Sequence, residues 1–130
     1  MRYGVAQCVG DTLGPGGIMY AQRTIHQLLA YCQDIREVAA PGCLLLNHAK
    51  PMAMNTWACN KYGGVRTIGL CHSVQGSYRQ VAWALGYPPH DVDVICAGIN
   101  HQNWFISIKH HGEELAGKLL AAFEKDPEFC

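Results

Sequence analysis

The sequence predicts an α/β arrangement, and three observations lead to it. Apolar residues recur at three- and four-residue steps in some stretches, and at two-residue steps or in short unbroken runs in others. Gly and Pro clusters fall between these stretches. Taken in order, the stretches read α-β-α-β-α-β-β-α, the alternation that packs helices on sheets.

Each element follows from its residues. Thr12-Leu13-Gly14-Pro15-Gly16-Gly17 is a loop by composition, and serves better as a turn into a helix than as a phosphate loop. Ile18, Ala21, Ile25, Leu28, Leu29, Cys32, Ile35 and Val38 then share one face, predicting a helix over 18–39 that Pro41-Gly42 stops. Cys43-Leu44-Leu45-Leu46-Asn47 is a short apolar run, the pattern of a strand buried on both faces. Pro51 allows a new helix over 53–61, ending near Gly63-Gly64.

Residues 65–70 form a second strand that closes on Cys71-His72. A helix is expected over 74–85, stopped by Gly86 and Pro88-Pro89. Residues 91–97 alternate through Val92, Val94 and Cys96 as a third strand. Residues 104–109 alternate again, with Trp104, Ile106 and Ile108 on one face, and are expected to pair antiparallel to that strand. A solvated turn at His110-His111-Gly112 leads to a last helix over 113–123. Trp57, Trp83 and Trp104 are expected in core or sheet.

The 130 residues carry ten Lys plus Arg against ten Asp plus Glu, and 49% of them are hydrophobic. So apolar a chain can bury a core. Net charge of zero removes the basic stripe of a nucleic-acid binder and the polybasic segment of a membrane-surface protein. No apolar run reaches the roughly 20 residues a membrane span needs, and Met1-Arg2-Tyr3-Gly4-Val5-Ala6-Gln7 lacks the apolar stretch of a signal peptide. Only 15% of residues are charged, which predicts surfaces built to be covered. The seven cysteines include no CxxC pair, so neither a zinc ribbon nor a thioredoxin-type motif is available, and with no secretory signal they read as reduced thiols in a cytoplasm. Most, such as Cys43 and Cys96, are expected to be small buried hydrophobes.

Two segments place metal-competent groups at strand ends: Gly69-Leu70-Cys71-His72-Ser73 and Cys96-Ala97-Gly98-Ile99-Asn100-His101. The carboxyl ends of strands are where α/β proteins collect ligands. The Cys71 thiolate and the His101 imidazole would suit a transition metal with open positions. A buried structural Cys and a satisfied core His fit the same residues equally well. Asp11, Asn47, Asn55 and Asn100 fit turns or caps. No nucleotide fingerprint occurs, since the glycines after Leu13 lack GxGxxG spacing.

Four strings together resemble the NAD- and manganese-dependent family 4 glycoside hydrolases. They are Gly10-Asp11-Thr12-Leu13-Gly14-Pro15-Gly16-Gly17-Ile18, Pro51-Met52-Ala53-Met54-Asn55-Thr56-Trp57-Ala58, Gly69-Leu70-Cys71-His72-Ser73-Val74-Gln75-Gly76 and Cys96-Ala97-Gly98-Ile99-Asn100-His101. The likeness is greatest to the α-galactosidase (melibiase) branch and runs from Tyr3 to about Glu124. It implies a central fragment of a lactate-dehydrogenase-like fold. Residues 1–72 would be the end of an NAD-binding Rossmann domain, and 73–130 the start of a mixed α/β catalytic domain.

The resemblance also implies site residues. Cys71 and His101 match the family's metal ligands, for Mn²⁺ or another divalent ion. Asp11 matches an acidic position that raises the basicity of a tyrosine base, and His72 lies where a related branch has its proton donor. Asn47 is implied at the NAD side, while Lys50 and Asn100 are implied at the sugar. The implied reaction on an α-galactoside or related glycoside differs from two-carboxylate hydrolysis. NAD⁺ takes hydride from sugar C3, the metal acidifies the C2 proton, a tyrosine removes it, the aglycone leaves, water adds and the hydride returns.

Departures from the family pattern are specific. Lys50 stands where the family has an Asn, and His26 where it commonly has Pro. Tyr3, Tyr20, Tyr31, Tyr62, Tyr78 and Tyr87 all precede His101, so none matches the tyrosine base, and the chain alone is expected to be inactive. The full-length family is expected to be cytoplasmic and homo-oligomeric, with no nucleic-acid or membrane partner. Two alternatives are a non-catalytic metal- or partner-binding remnant of the family, and a lactate- or malate-dehydrogenase-like oxidoreductase.

Overall fold

The computed structural model describes Gly4, Gln7 and residues 9–125. Cys8 and Cys130, counted above among the thiols, lie outside the described residues, as does Tyr3. The class is α/β, as expected, and the chain divides into two compact units, Met1–Cys71 and His72–Cys130. Among the described residues, no helix is long and apolar enough to cross a membrane.

The first unit opens with α1 (Gly14–Val38), which begins inside the glycine segment, four residues before the expected start. Pro15 in the first turn is tolerated because the first amides of a helix have no intrahelical acceptor. β1 (Leu44–Asn47) and β2 (Arg66–Gly69) pair in parallel, with Leu44 opposite Arg66 and Asn47 opposite Gly69. Between them run α2 (Met52–Ala58) and a π-helical turn, Cys59–Gly63. The Lys50–Pro51 peptide bond is cis.

Burial of β1 corrects one expectation. Leu45 packs against the buried cluster of Cys32, Cys59 and Val65, but Leu44 and Leu46 are exposed. Successive strand side chains point to opposite faces, and among the described residues only one face is covered. The cysteines divide for the same reason. Cys32 and Cys59 are fully buried, whereas Cys43, at the strand's entry, is exposed and Cys96 only half-buried.

The second unit places α3 (Ser73–Ala84), a 3₁₀ turn (Pro89–Asp91) and then β3 (Val92–Ile99), β4 (Gln102–His110) and β5 (Glu113–Glu114), all antiparallel. The antiparallel β3–β4 pairing is as expected. Its face is not: Ile95 opposes Ser107 and Cys96 opposes Phe105, so β4 carries one extra residue, a β-bulge. The bulge breaks the period of two. Phe105 and Ile108 therefore face the core of Val81, Ala82, Val92 and Leu115, while Trp104 and Ile106 are exposed.

The last helix also starts later than expected. Glu113 and Glu114 pair with His110 and Lys109 across His111-Gly112, whose φ values of 49° and 86° suit a tight hairpin. Only then does α4 (Ala116–Lys125) begin. His111 is exposed on that turn, but His110 is half-buried, its ring stacked on Tyr87 at 4.1 Å between centroids. The tryptophans are exposed, at 68% for Trp57, 72% for Trp83 and 64% for Trp104, so only Trp104 lies in a sheet and none in the core.

Candidate functional site

In the first unit the site is built on the carboxyl ends of two parallel strands, the edge where such sheets hold ligands. Residues 48–51 follow β1 and residues 70–71 follow β2. Asn47, buried at the end of β1, shapes the first of these loops. Its amide donates to Met52 O at 3.3 Å and to Thr56 Oγ1 at 3.0 Å, and its Oδ1 accepts from Ala49 N at 3.0 Å. Both N–H donors are thus used locally, so Asn47 positions the loop.

β2 is drawn against α2 at the same edge. A Cβ on Gly69 would overlap Met52 Sδ and lie 2.6 Å from Thr56 Oγ1. Only glycine lets the strand end sit this close to the helix, and Leu70 N donates to Asn47 O at 2.9 Å to hold the chain there. Cys71 follows, half-buried, as the last residue of the first unit.

Asp11 and Lys50 are brought together from separate loops. Lys50 Nζ lies 3.1 Å from Asp11 Oδ2. That hydrogen bond is the main reason the Asp11 carboxyl is held below its ordinary range; a weaker bond from Thr12 Oγ1, at 3.2 Å, acts in the same direction. The side chains are 47% and 46% exposed, so water screens the pair and its role is to set charge and orientation rather than stability. The Lys50 ammonium is therefore engaged by Asp11.

Asn55 corrects its expected role as a turn or cap residue. It is fully buried within α2, where Nδ2 donates to Ala49 O at 3.3 Å and, among the described residues, Oδ1 has no hydrogen-bond partner. A buried acceptor under this loop is one that a ligand or water donor would complete. Its period on α2 gave no sign of this. Asn60 was missed altogether: its side chain brackets Thr67, accepting from Thr67 N at 2.9 Å and donating to Thr67 O at 2.8 Å, as a neighbouring strand would.

In the second unit, Asn100 and His101 form the turn between β3 and β4, where Asn100 is half-buried and His101 takes φ 60°. Gly98 permits that turn, because it sits at φ 138° and a Cβ there would overlap Gln102 O. His72, exposed, directly precedes α3. Among the described residues no three His, Cys, Asp or Glu side chains gather around a metal-sized space. Cys71 ends the first unit and His101 lies in the second.

Comparison with known proteins bears on these motifs. Residues 1–87 match the family model described as family 4 glycosyl hydrolase. The chain is 53% identical over 130 residues to an alpha-galactosidase of Rhizobium meliloti (strain 1021), covering 99% of this chain and 26% of the relative. It is 40% identical over 114 residues to an alpha-galactosidase of Bacillus subtilis (strain 168), covering 88% of this chain and 26% of the relative. It thus spans about a quarter of the length of these curated relatives. The crystal structure of lplD from Bacillus subtilis superposes with a TM-score of 0.78 at 30% identity, over 95% of this chain and 29% of that one. A 6-phospho-alpha-glucosidase from gut microorganisms, in complex with NAD and Mn²⁺, shares the fold with a TM-score of 0.80 at 24% identity, over 89% of this chain and 27% of that one. The ordered motifs, the parallel strand edge and the matched model lead to one assignment: the chain belongs to the family 4 glycosyl hydrolases.

Proposed function

We propose that the whole protein hydrolyses α-galactosides or related glycosides by the oxidation–elimination route, and that this chain supplies its metal ligands and part of its sugar site. The observation that carries the proposal is the 53% identity to an alpha-galactosidase across 99% of the chain. On this reading residues 1–72 belong to the NAD-binding domain and residues 73–130 to the catalytic domain, a boundary one residue from the division between the two compact units. The protein works in the cytoplasm as a homo-oligomer.

When bound, NAD would accept a hydride and Mn²⁺, or another divalent ion, would act as a Lewis acid on sugar oxygens. Cys71 and His101 hold the metal, and Asn100 beside His101 orients ligand or sugar. Asn47 keeps the loop after β1 in shape on the NAD side. Asp11, kept ionised by Lys50, is the acidic group that favours a charged proton acceptor nearby. His72, adjacent to Cys71 and exposed, donates the proton to the leaving oxygen. Lys50, its ammonium partly satisfied by Asp11, contacts a sugar hydroxyl.

The test is hydrolysis of p-nitrophenyl-α-galactoside by the full-length protein with NAD⁺, Mn²⁺ and reductant. Turnover that disappears when either NAD⁺ or Mn²⁺ is withheld is expected; turnover indifferent to both overturns the route. The 130 residues alone are expected to give none. Calorimetry on the full-length protein tests the ligands: Cys71→Ala should abolish Mn²⁺ binding, and unchanged affinity removes the assignment.

A further inference from the structure

The loop after β1 is gripped by Asn55 on both sides of Lys50. Asn55 N donates to Pro51 O at 3.0 Å, and Asn55 Nδ2 donates to Ala49 O at 3.3 Å. Asn47 adds a third hold, its Oδ1 accepting from Ala49 N at 3.0 Å. Both backbone polar groups of Ala49 are thus bound to asparagine side chains, and Lys50 lies between the two residues that Asn55 holds. From there Lys50 Nζ reaches to 3.1 Å from Asp11 Oδ2.

We infer that Asn55 is a positioning residue for Lys50: its side-chain bond to Ala49 O sets the direction in which the ammonium leaves the loop, towards Asp11 and the sugar. The inference rests on the glycosidase reading for the sugar, and on the geometry above for the ion pair. A pair as exposed as Lys50–Asp11 contributes little by itself, whereas ordering a lysine side chain costs much rotamer freedom. The pair therefore keeps one geometry because the backbone that carries Lys50 is set beforehand. The burial of Asn55 points the same way. Its side chain is out of water and, among the described residues, its Oδ1 has no hydrogen-bond partner. An apolar side chain would fill that space without orphaning an acceptor. What offsets the carboxamide is the hold of Nδ2 on Ala49 O. Asn55 thus acts through Lys50 and not by touching a ligand.

The experiment uses the full-length protein and two readouts. Crystal structures of Asn55→Ala, and of Asn55→Leu, which refills the space without a donor, should show Lys50 Nζ beyond hydrogen-bond distance of Asp11 Oδ2. Kinetics on p-nitrophenyl-α-galactoside with NAD⁺, Mn²⁺ and reductant should show KM raised about fivefold, the worth of one neutral hydrogen bond, with kcat little changed. Lys50→Ala should raise KM in the wild-type protein and add nothing in the Asn55→Ala background, since both changes remove one contact. Cys59→Ala, which vacates buried space in the cluster of Cys32 and Val65, should leave KM unchanged and so separates positioning from lost stability. Should Asn55→Ala fail to fold, Asn55→Leu carries both readouts. Absence of turnover in the wild-type protein overturns the glycosidase reading, and the crystal structures then decide the inference alone. An intact ion pair or a wild-type KM in either variant, or additive effects of Asn55→Ala and Lys50→Ala, would overturn it.

Discussion

The fully or nearly buried side chains of the first unit are mostly small or polar: Cys32, Cys59, Val65, Asn47, Asn55 and Thr67. Those of the second are apolar, with Leu115 at the centre of Val81, Ala82, Val92 and Ile108. The first unit makes up for its thin core by close approach and side-chain hydrogen bonds, seen at Gly69 against Met52 and at Asn60 around Thr67. The second relies on burial, closed by two tight turns at Asn100-His101 and His111-Gly112. The lesson is that the strand ends of the first unit are held by directional contacts, which fix positions, while the hairpin is held by area, which tolerates repacking.

Urea denaturation of point variants would break or sharpen that contrast. The largest effect is expected from Leu115→Ala, a fully buried leucine, at about 3 kcal/mol lost through transfer and cavity terms; a loss below about 1 kcal/mol would mean that area does not hold the second unit. Next is Gly69→Ala, where the added methyl must displace Met52 and Thr56, at about 2 kcal/mol. Asn60→Ala removes both bonds to Thr67 and should cost about 1.5 kcal/mol, against almost nothing for an exposed asparagine without partners.

A pH effect follows from Cys59. Burial first, and the Cys32 thiol second, push its pKa from 9.0 up to about 11. The folded state thus favours the neutral thiol. Below pH 9 both states are neutral and stability is flat; above it the unfolded thiol ionises while the folded one does not. Stability should fall by on the order of 1 kcal/mol by pH 10 and continue falling towards 11, and Cys59→Ala should lack this segment of the curve. An identical pH profile in the variant would place the thiol pair in water. The smallest effect is at Lys118, whose exposed ion pair with Glu113 at 2.8 Å should leave stability unchanged in Lys118→Ala.

Helix and strand order was legible because apolar spacing reports local geometry directly. The helix of Ile18 through Val38 and the alternation of Val92, Val94 and Cys96 carry their own periods. The candidate ligands Cys71 and His101, with the candidate proton donor His72 and sugar contact Asn100 beside them, were legible as polar groups ending apolar strands. Asn55 and Asn60 were not, since a side chain's hydrogen bonds to a strand several residues away leave no local pattern. The bulge on β4 was hidden for a similar reason: it is a mismatch between two strands, and the sequence of Trp104, Ile106 and Ile108 alternates as though no residue were extra.

By itself, then, the sequence determined the α/β order, the glycine and proline punctuation, and four motifs specific enough to indicate a family, because each depends only on neighbours along the chain. Tertiary structure alone decided which face of β1 and β4 is buried, that Glu113 and Glu114 extend the sheet before α4 begins, and that Lys50 reaches Asp11. Those outcomes depend on which distant residues meet, and meeting is a property of packing in three dimensions.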